Sequence, residues 1–182
     1  MDTNIVNRLK KGEESAFREL VETYRQMVFR VCLGVLQNAA DADDVTQEVF
    51  IEVFRSVQKF HSRSKISTWL YRIALNKSLN HLRDNRKHKR SLQLDSQIME
   101  EVPPAPVRDN PLEVLQEKEK RKILKKAVNA LPERQKKAFV LSKYEDLPNK
   151  EIAEIMKISV SSVESLLFRA KQNLQKNILA EF

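Results

Sequence analysis

The chain has 182 residues, with 33 Lys and Arg against 25 Asp and Glu and a formal net charge of +8. That length admits one domain or two small ones, and the basic balance favours a polyanionic partner without dictating a fold. A single cysteine, Cys32, excludes an internal disulfide, and no stretch has the length of a membrane span or the pattern of a signal peptide. A cytoplasmic protein without membrane insertion is therefore expected.

With only 2 Gly and abundant Leu, Lys, Glu, Ala and Ile, the chain reads as all-α. A short basic helix is expected over residues 4–11, ended by Gly12. A long helix follows over 13–37. Ala16, Phe17, Leu20, Tyr24, Met27, Val28, Val31 and Val35 recur at three- and four-residue steps and form one buried stripe. Cys32 lies among these apolar residues and reads as a small buried hydrophobe.

The next helix is expected over 41–57. Val45, Val49, Val53 and Val57 step by fours, with Phe50 and Phe54 beside them, and form a core stripe. Asp41, Asp44 and Glu48 recur on another face, joined by Gln47. An ordinary acidic first turn, favoured by the helix dipole, accounts for these residues as well as a docking face does.

A polar, basic loop over 58–67 leads to a helix over 68–86. Trp69, Leu70, Ile73, Leu75, Leu79 and Leu82 supply its apolar side. Arg72, Asn76, Lys77, Asn80, Arg83, Arg86 and Lys87 are left to face outward. Asn76 and Asn80 stand one turn apart and can reach a common target. Amides pair with base edges, and Arg or Lys with phosphates. A solvated basic face is the plain alternative, weakened because acidic residues nearly vanish between Phe60 and Lys89.

From 88 to 111 the periodicity fails. Pro103, Pro104, Pro106 and Pro111 cluster with Asp95, Glu100, Glu101 and Asp109, the composition of an extended linker and a domain boundary. Helices are expected next over 112–130, 133–144, 148–156 and 160–179. The last two, joined by a short turn, fit a helix-turn-helix. Val163, Leu167, Ala170 and Leu174 face the core, which puts Ser161, Ser162, Ser165, Phe168 and Arg169 outside. Lys150, Lys171 and Lys176 suit flanking phosphates. Ser161 and Glu164 have capping-box spacing, which favours a structural use for Glu164 over a base contact.

Together these stretches resemble the extracytoplasmic-function (ECF) sigma factors of bacterial RNA polymerase. DADDVTQEVFIEVF resembles the acidic region 2 helix that docks on the polymerase. FHSRSKISTWLYRIALNKSLNHLR resembles the segment that opens and reads the −10 element. LPNKEIAEIMKISVSSVESLLFRAKQNL resembles the region 4 reader of the −35 element.

The resemblance implies two small helical domains. Residues 1–87 would form a region 2-like domain, 88–111 a flexible Pro-rich acidic linker, and 112–182 a region 4-like helix-turn-helix domain. Asp41, Asp44, Gln47, Glu48 and Phe50 would bind polymerase. Phe60, Ser62, Arg63, Ser64, Lys65, Arg72, Asn76, Lys77, Asn80 and Arg83 would bind −10 DNA. Lys150, Ser161, Ser162, Ser165, Phe168, Arg169 and Lys171 would bind −35 DNA.

The implied partners are core RNA polymerase, promoter DNA and an anti-sigma factor. No cofactor or metal is expected, since His61, His81 and His88 lack metal-ligand spacing and no nucleophile–base pair stands out. Ser161, Glu164 and Leu166 depart from the family's usual residues on the recognition helix. A freestanding helix-turn-helix regulator, dimeric on two half-sites, is the competing expectation.

Overall fold

A computed structural model describes residues 2–60, 64–92 and 111–180. Among these residues there are eight α-helices and no strands: α1 (Asp2–Lys10), α2 (Glu14–Leu36), α3 (Ala39–Ser56), α4 (Ile66–Leu92), α5 (Pro111–Asn129), α6 (Glu133–Lys143), α7 (Asn149–Met156) and α8 (Val160–Leu179). A single 3₁₀ turn, Val57–Lys59, follows α3.

Helices α2, α3 and α4 pack pairwise around the stripe expected from the sequence. Leu20, Val28, Val31 and Val35 of α2 meet Val45, Val49 and Val53 of α3 and Leu70, Ala74 and Leu75 of α4, all buried. Cys32 is buried with them, and that burial pushes its thiol pKa up. Helix α1 closes one end with Val6 and Leu9. Gly12 at φ +79° makes the reversal into α2, a conformation in which a Cβ is strained.

Helix boundaries differ from the sequence expectation where a side chain takes over a backbone bond. Helix α3 starts at Ala39 because Asn38 caps it, its Oδ1 accepting from the amides of Ala40 (2.9 Å) and Asp41 (3.3 Å). Helix α4 begins at Ile66, whose side chain is buried, and continues to Leu92. The expected boundary at residue 88 thus falls inside a helix. The rest of the expected linker, 93–110, lies outside the described residues.

The C-terminal helices do not stand apart. Val140 and Leu141 of α6, Ile152 and Ile155 of α7 and Val163 of α8 join the same apolar core as α2–α4. A second, smaller cluster of Ala127, Val128, Leu131, Ala170 and Leu174 ties α5 to α8. Gly34 marks the closest approach. A Cβ built on it meets Val140 Cγ1 at 2.9 Å and the Tyr144 ring at 3.1 Å. Only a residue without a side chain lets α2 lie this close to α6.

Candidate nucleic-acid interface

Helix α3 presents Asp44, Gln47 and Glu48 to solvent, one turn apart, while Asp41 is half-buried. Phe50, which the valine step places in the core and the family resemblance adds to this face, is 6 % exposed and belongs to the core. The four-residue step that puts Val45, Val49 and Val53 inward carries the adjacent Phe50 in with them. The exposed apolar companions of the acidic groups are Ile51 and Phe54, the latter 63 % exposed and edge-on to Phe17 at 5.4 Å. Lys77, expected to face DNA, lies against this side, 3.6 Å from Glu52 and 3.9 Å from Glu48. His81 Nε2 is 3.5 Å from Asp41.

Helix α4 carries Arg72, Asn76, Asn80 and Arg83 at spacings that share one side of a helix. Asn80 is exposed. The other three are occupied by the C-terminal helices. Arg72 donates through Nε to the Ile155 carbonyl (2.9 Å) and through a terminal nitrogen to the Glu154 carbonyl (2.7 Å). These carbonyls end α7, where the helix dipole is negative. Asn76 Oδ1 accepts from Lys137 Nζ at 2.9 Å, and Arg83 Nε meets Glu133 at 2.9 Å.

In the preceding loop Lys65 is 4.0 Å from Glu151, and Ser64 is half-buried. Ser62 and Arg63 lie outside the described residues. Phe60 is 7 % exposed and packs on Trp69 with ring centroids 4.8 Å apart. Its ring therefore anchors the loop rather than projecting from it.

Three further residues sit at this junction without having stood out in the sequence. Arg30 of α2 clamps Glu145 with two bonds, 2.8 and 2.9 Å, and the Glu145 side chain is 1 % exposed. The Tyr71 hydroxyl donates to the same carboxylate at 3.0 Å. Burial, then the Glu145 charge, pushes the Tyr71 phenol well above its usual range. The bidentate Arg–carboxylate geometry is among the stronger protein ion pairs. Nearby, the Gln37 amide donates to the Tyr144 hydroxyl at 2.8 Å. Arg72, Asn76, Arg134, Lys137, Leu75, Ile155, Met156 and Lys157 line a shallow, basic cleft where α4 meets α6 and α7.

The α7–α8 pair has the helix-turn-helix form. Lys157 takes the left-handed conformation at φ 54°, and the Ile158 amide reaches back to Ala153 O at 3.1 Å, closing α7. Ser159, not Ser161, caps α8, its Oγ accepting from the Ser162 amide at 3.2 Å. The expected Ser161–Glu164 box is therefore not made. Both residues are already inside the helix and exposed. Lys150, Ser161, Ser162, Ser165, Phe168, Arg169 and Lys171 are all exposed, Phe168 by 63 %. Val163, Ala170 and Leu174 are buried, as their spacing requires. Among the described residues no helix is long and apolar enough to cross a membrane.

Residues 20–88 match the sigma-70 region 2 family and residues 121–174 match the sigma-70 region 4 family. The ECF RNA polymerase sigma-E factor of Escherichia coli is 31% identical over 180 residues, covering 97% of this chain and 94% of its own. The ECF RNA polymerase sigma factor SigW of Bacillus subtilis is 28% identical over 179 residues, covering 95% and 94%. Among solved structures, CnrH in complex with the cytosolic domain of CnrY is similar with a TM-score of 0.66 at 21% identity, covering 100% of this chain and 99% of that one, a likeness of fold. An exposed acidic helix, a basic helix and a helix-turn-helix, in this order and within these two families, make the chain a member of the ECF sigma factors of RNA polymerase.

Proposed function

We propose that this sigma factor grips core RNA polymerase through the exposed Asp44, Gln47 and Glu48 face of α3, with Ile51 and Phe54 supplying apolar contact. Sigma factors are initiation factors, not enzymes; they direct polymerase to specific promoters. On this reading Lys65, Arg72, Asn76, Asn80 and Arg83, with Ser62, Arg63 and Ser64 of the loop, take the separated −10 strand. Phe60 fixes the loop from behind. Lys150, Ser161, Ser162, Ser165, Phe168, Arg169 and Lys171 take the −35 duplex. The corresponding modules are residues 1–87 and 112–182, joined by 88–111, with the α4 helix extending into the joining segment.

The observation that carries this reading is the sorting of charge. Asp44 and Glu48 are exposed on α3, and a row of amide and cationic side chains runs along the other side of α4. Captured bases gain about 1–3 kcal/mol each by stacking, enough to offset the few kcal/mol that extrusion from a duplex costs. Arg and Lys contacts to phosphate add sequence-independent affinity.

The working place is the cell interior, where polymerase acts, and the cytoplasm in particular. An anti-sigma partner is part of the proposal. The similar CnrH structure contains the cytosolic domain of CnrY, and the similar RpoE of Bartonella quintana was solved with the anti-sigma factor NepR, at a TM-score of 0.64 and 17% identity. Run-off transcription with purified core polymerase on fragments of the source genome tests the residue assignment. Arg72→Ala with Asn76→Ala should abolish opening of a fragment that the wild type opens, while leaving the binary complex with polymerase intact. Loss of the binary complex as well would refute the division of labour.

A further inference from the structure

Glu164 is left without a structural task. Ser159 caps α8, and Glu164 is the fifth residue of a helix that begins at Val160. It is exposed, and among the described residues no hydrogen bond or ion pair holds its carboxylate. The hydroxyls beside it are differently placed. Those of Ser161 and Ser162 meet Ser159 Oγ at 3.1 and 2.8 Å, and Ser165 Oγ donates to the Ser161 carbonyl at 3.0 Å. Glu164 stands three residues after Ser161 and four before Phe168, on the side that these two exposed residues share. Val163, Ala170 and Leu174 turn the other way, into the core. The first turns of a recognition helix are the part that enters the major groove. A carboxylate there is repelled by phosphates and by the acceptor edges of guanine and thymine, so it gains only from an amino group. Two bases present one. Adenine sets its N7 acceptor beside the N6 amino group, which repels the second carboxylate oxygen, whereas cytosine shows its N4 amino group with no acceptor of its own.

We propose that Glu164 makes this chain read a cytosine in the −35 duplex, its carboxylate accepting from the N4 amino group in the major groove. The inference rests on the assignment of α8 to −35 DNA. The exposed cations Lys150, Arg169 and Lys171 supply the phosphate attraction that offsets carrying a negative group into the groove. Glu164 therefore adds discrimination rather than affinity. A basic side chain at this position would favour guanine, so the departure from the family's usual residue changes which promoters are chosen.

Selection of duplexes from a randomised pool, by core RNA polymerase carrying the full chain, tests this. Wild type, Glu164→Gln, Glu164→Arg, Glu164→Ala and Arg169→Ala are compared. Glu164 is exposed and unbonded, so its variants should melt with the wild type. The wild type should enrich a site with cytosine at one position. Glu164→Gln should turn that position to adenine and Glu164→Arg to guanine, with the other positions unchanged. On the wild-type site, replacing that C·G pair by T·A should weaken wild-type binding about tenfold and Glu164→Ala binding less than about twofold. A tenfold loss shared by Glu164→Ala would overturn the proposal. If Arg169→Ala weakens or alters selection while all three Glu164 variants keep the wild-type site, the cytosine reading fails and the assignment of α8 to −35 DNA stands. If no α8 variant changes the site, or the wild type enriches none, that assignment fails and the cytosine reading with it.

Discussion

Gly34→Ala puts a single methyl group where two helices meet, and its two effects have opposite signs at different levels. Within α2, whose last turn holds Gly34, alanine in place of glycine favours the helix by at most about 1 kcal/mol. Against α6, the new carbon stands 2.9 Å from Val140 Cγ1 and 3.1 Å from the Tyr144 ring. Val140 is fully buried and β-branched, so it cannot swing away, and Tyr144 is held by the Gln37 amide at 2.8 Å. Overpacking of this kind costs about 1–3 kcal/mol. The cost falls only where α6 is seated on α2, and the gain falls on α2 whether or not α6 is seated. Any equilibrium between seated and unseated α6 should therefore shift by that 1–3 kcal/mol, roughly 5- to 150-fold, toward unseated. Scattering profiles recorded for wild type and variant, alongside thermal unfolding by circular dichroism, read both effects. A raised unfolding midpoint with an unchanged scattering profile would refute the reasoning, because it would mean that α2 and α6 do not touch in solution.

Lys136 gives a pH-dependent expectation. It is 2 % exposed, its Nζ bonds only weakly to Asn129 (3.3 and 3.4 Å), and burial, then the Arg86 charge, lowers its pKa from 10.5 to about 8. The unfolded chain binds the proton more tightly, so stability rises as pH climbs from about 8 to 10.5, falls back as pH is lowered over the same range, and no longer depends on this group below about 8. Lys136→Met should be more stable than wild type near neutral pH by up to a few kcal/mol, with the advantage shrinking toward pH ~10 in denaturant titrations; a difference that stays constant across that range would contradict the burial argument. At the C-terminal reader, Ser159→Ala should cost about 1 kcal/mol of unfolding free energy through loss of the α8 cap. Ser161→Ala should cost a few tenths at most, and the reverse order would restore the capping box.

The helices were legible because their buried sides repeat at helical steps. Val45, Val49 and Val53, or Val163, Ala170 and Leu174, could only face one way. The division of α8 into a buried stripe and an exposed face followed from the same periodicity. Boundaries were less legible, since Asn38 and Ser159 take over amides that the hydrophobic pattern says nothing about. Phe50 was read with the valine stripe and, by the family motif, also with its acidic neighbours, and the structure puts it with the valines; Phe54, read with the same stripe, is instead 63 % exposed, because the valine step leaves its position on the outer side of α3. The junction between the modules was not legible at all. Arg30 and Glu145 are 115 residues apart, and each reads as an ordinary surface charge until the fold brings them together. Lys136 reads as one more solvated lysine for the same reason. Gly34 sits in the last turn of α2, where glycine is ordinary in a sequence, and its reason lies across the interface in Val140.

Helix α3 is the surface proposed to meet polymerase. Titrating labelled full-length protein with purified core RNA polymerase, wild type against Asp44→Lys with Glu48→Lys, measures it directly. Both positions are exposed, and among the described residues no bond depends on them beyond the long Glu48–Lys77 contact at 3.9 Å, so the variant should fold as the wild type does. Charge reversal at a docking face should weaken binding by several kcal/mol, at least about a hundredfold, while binding to −35 duplex DNA stays within about twofold. Equal affinity of the two proteins for polymerase would contradict the assignment of that face.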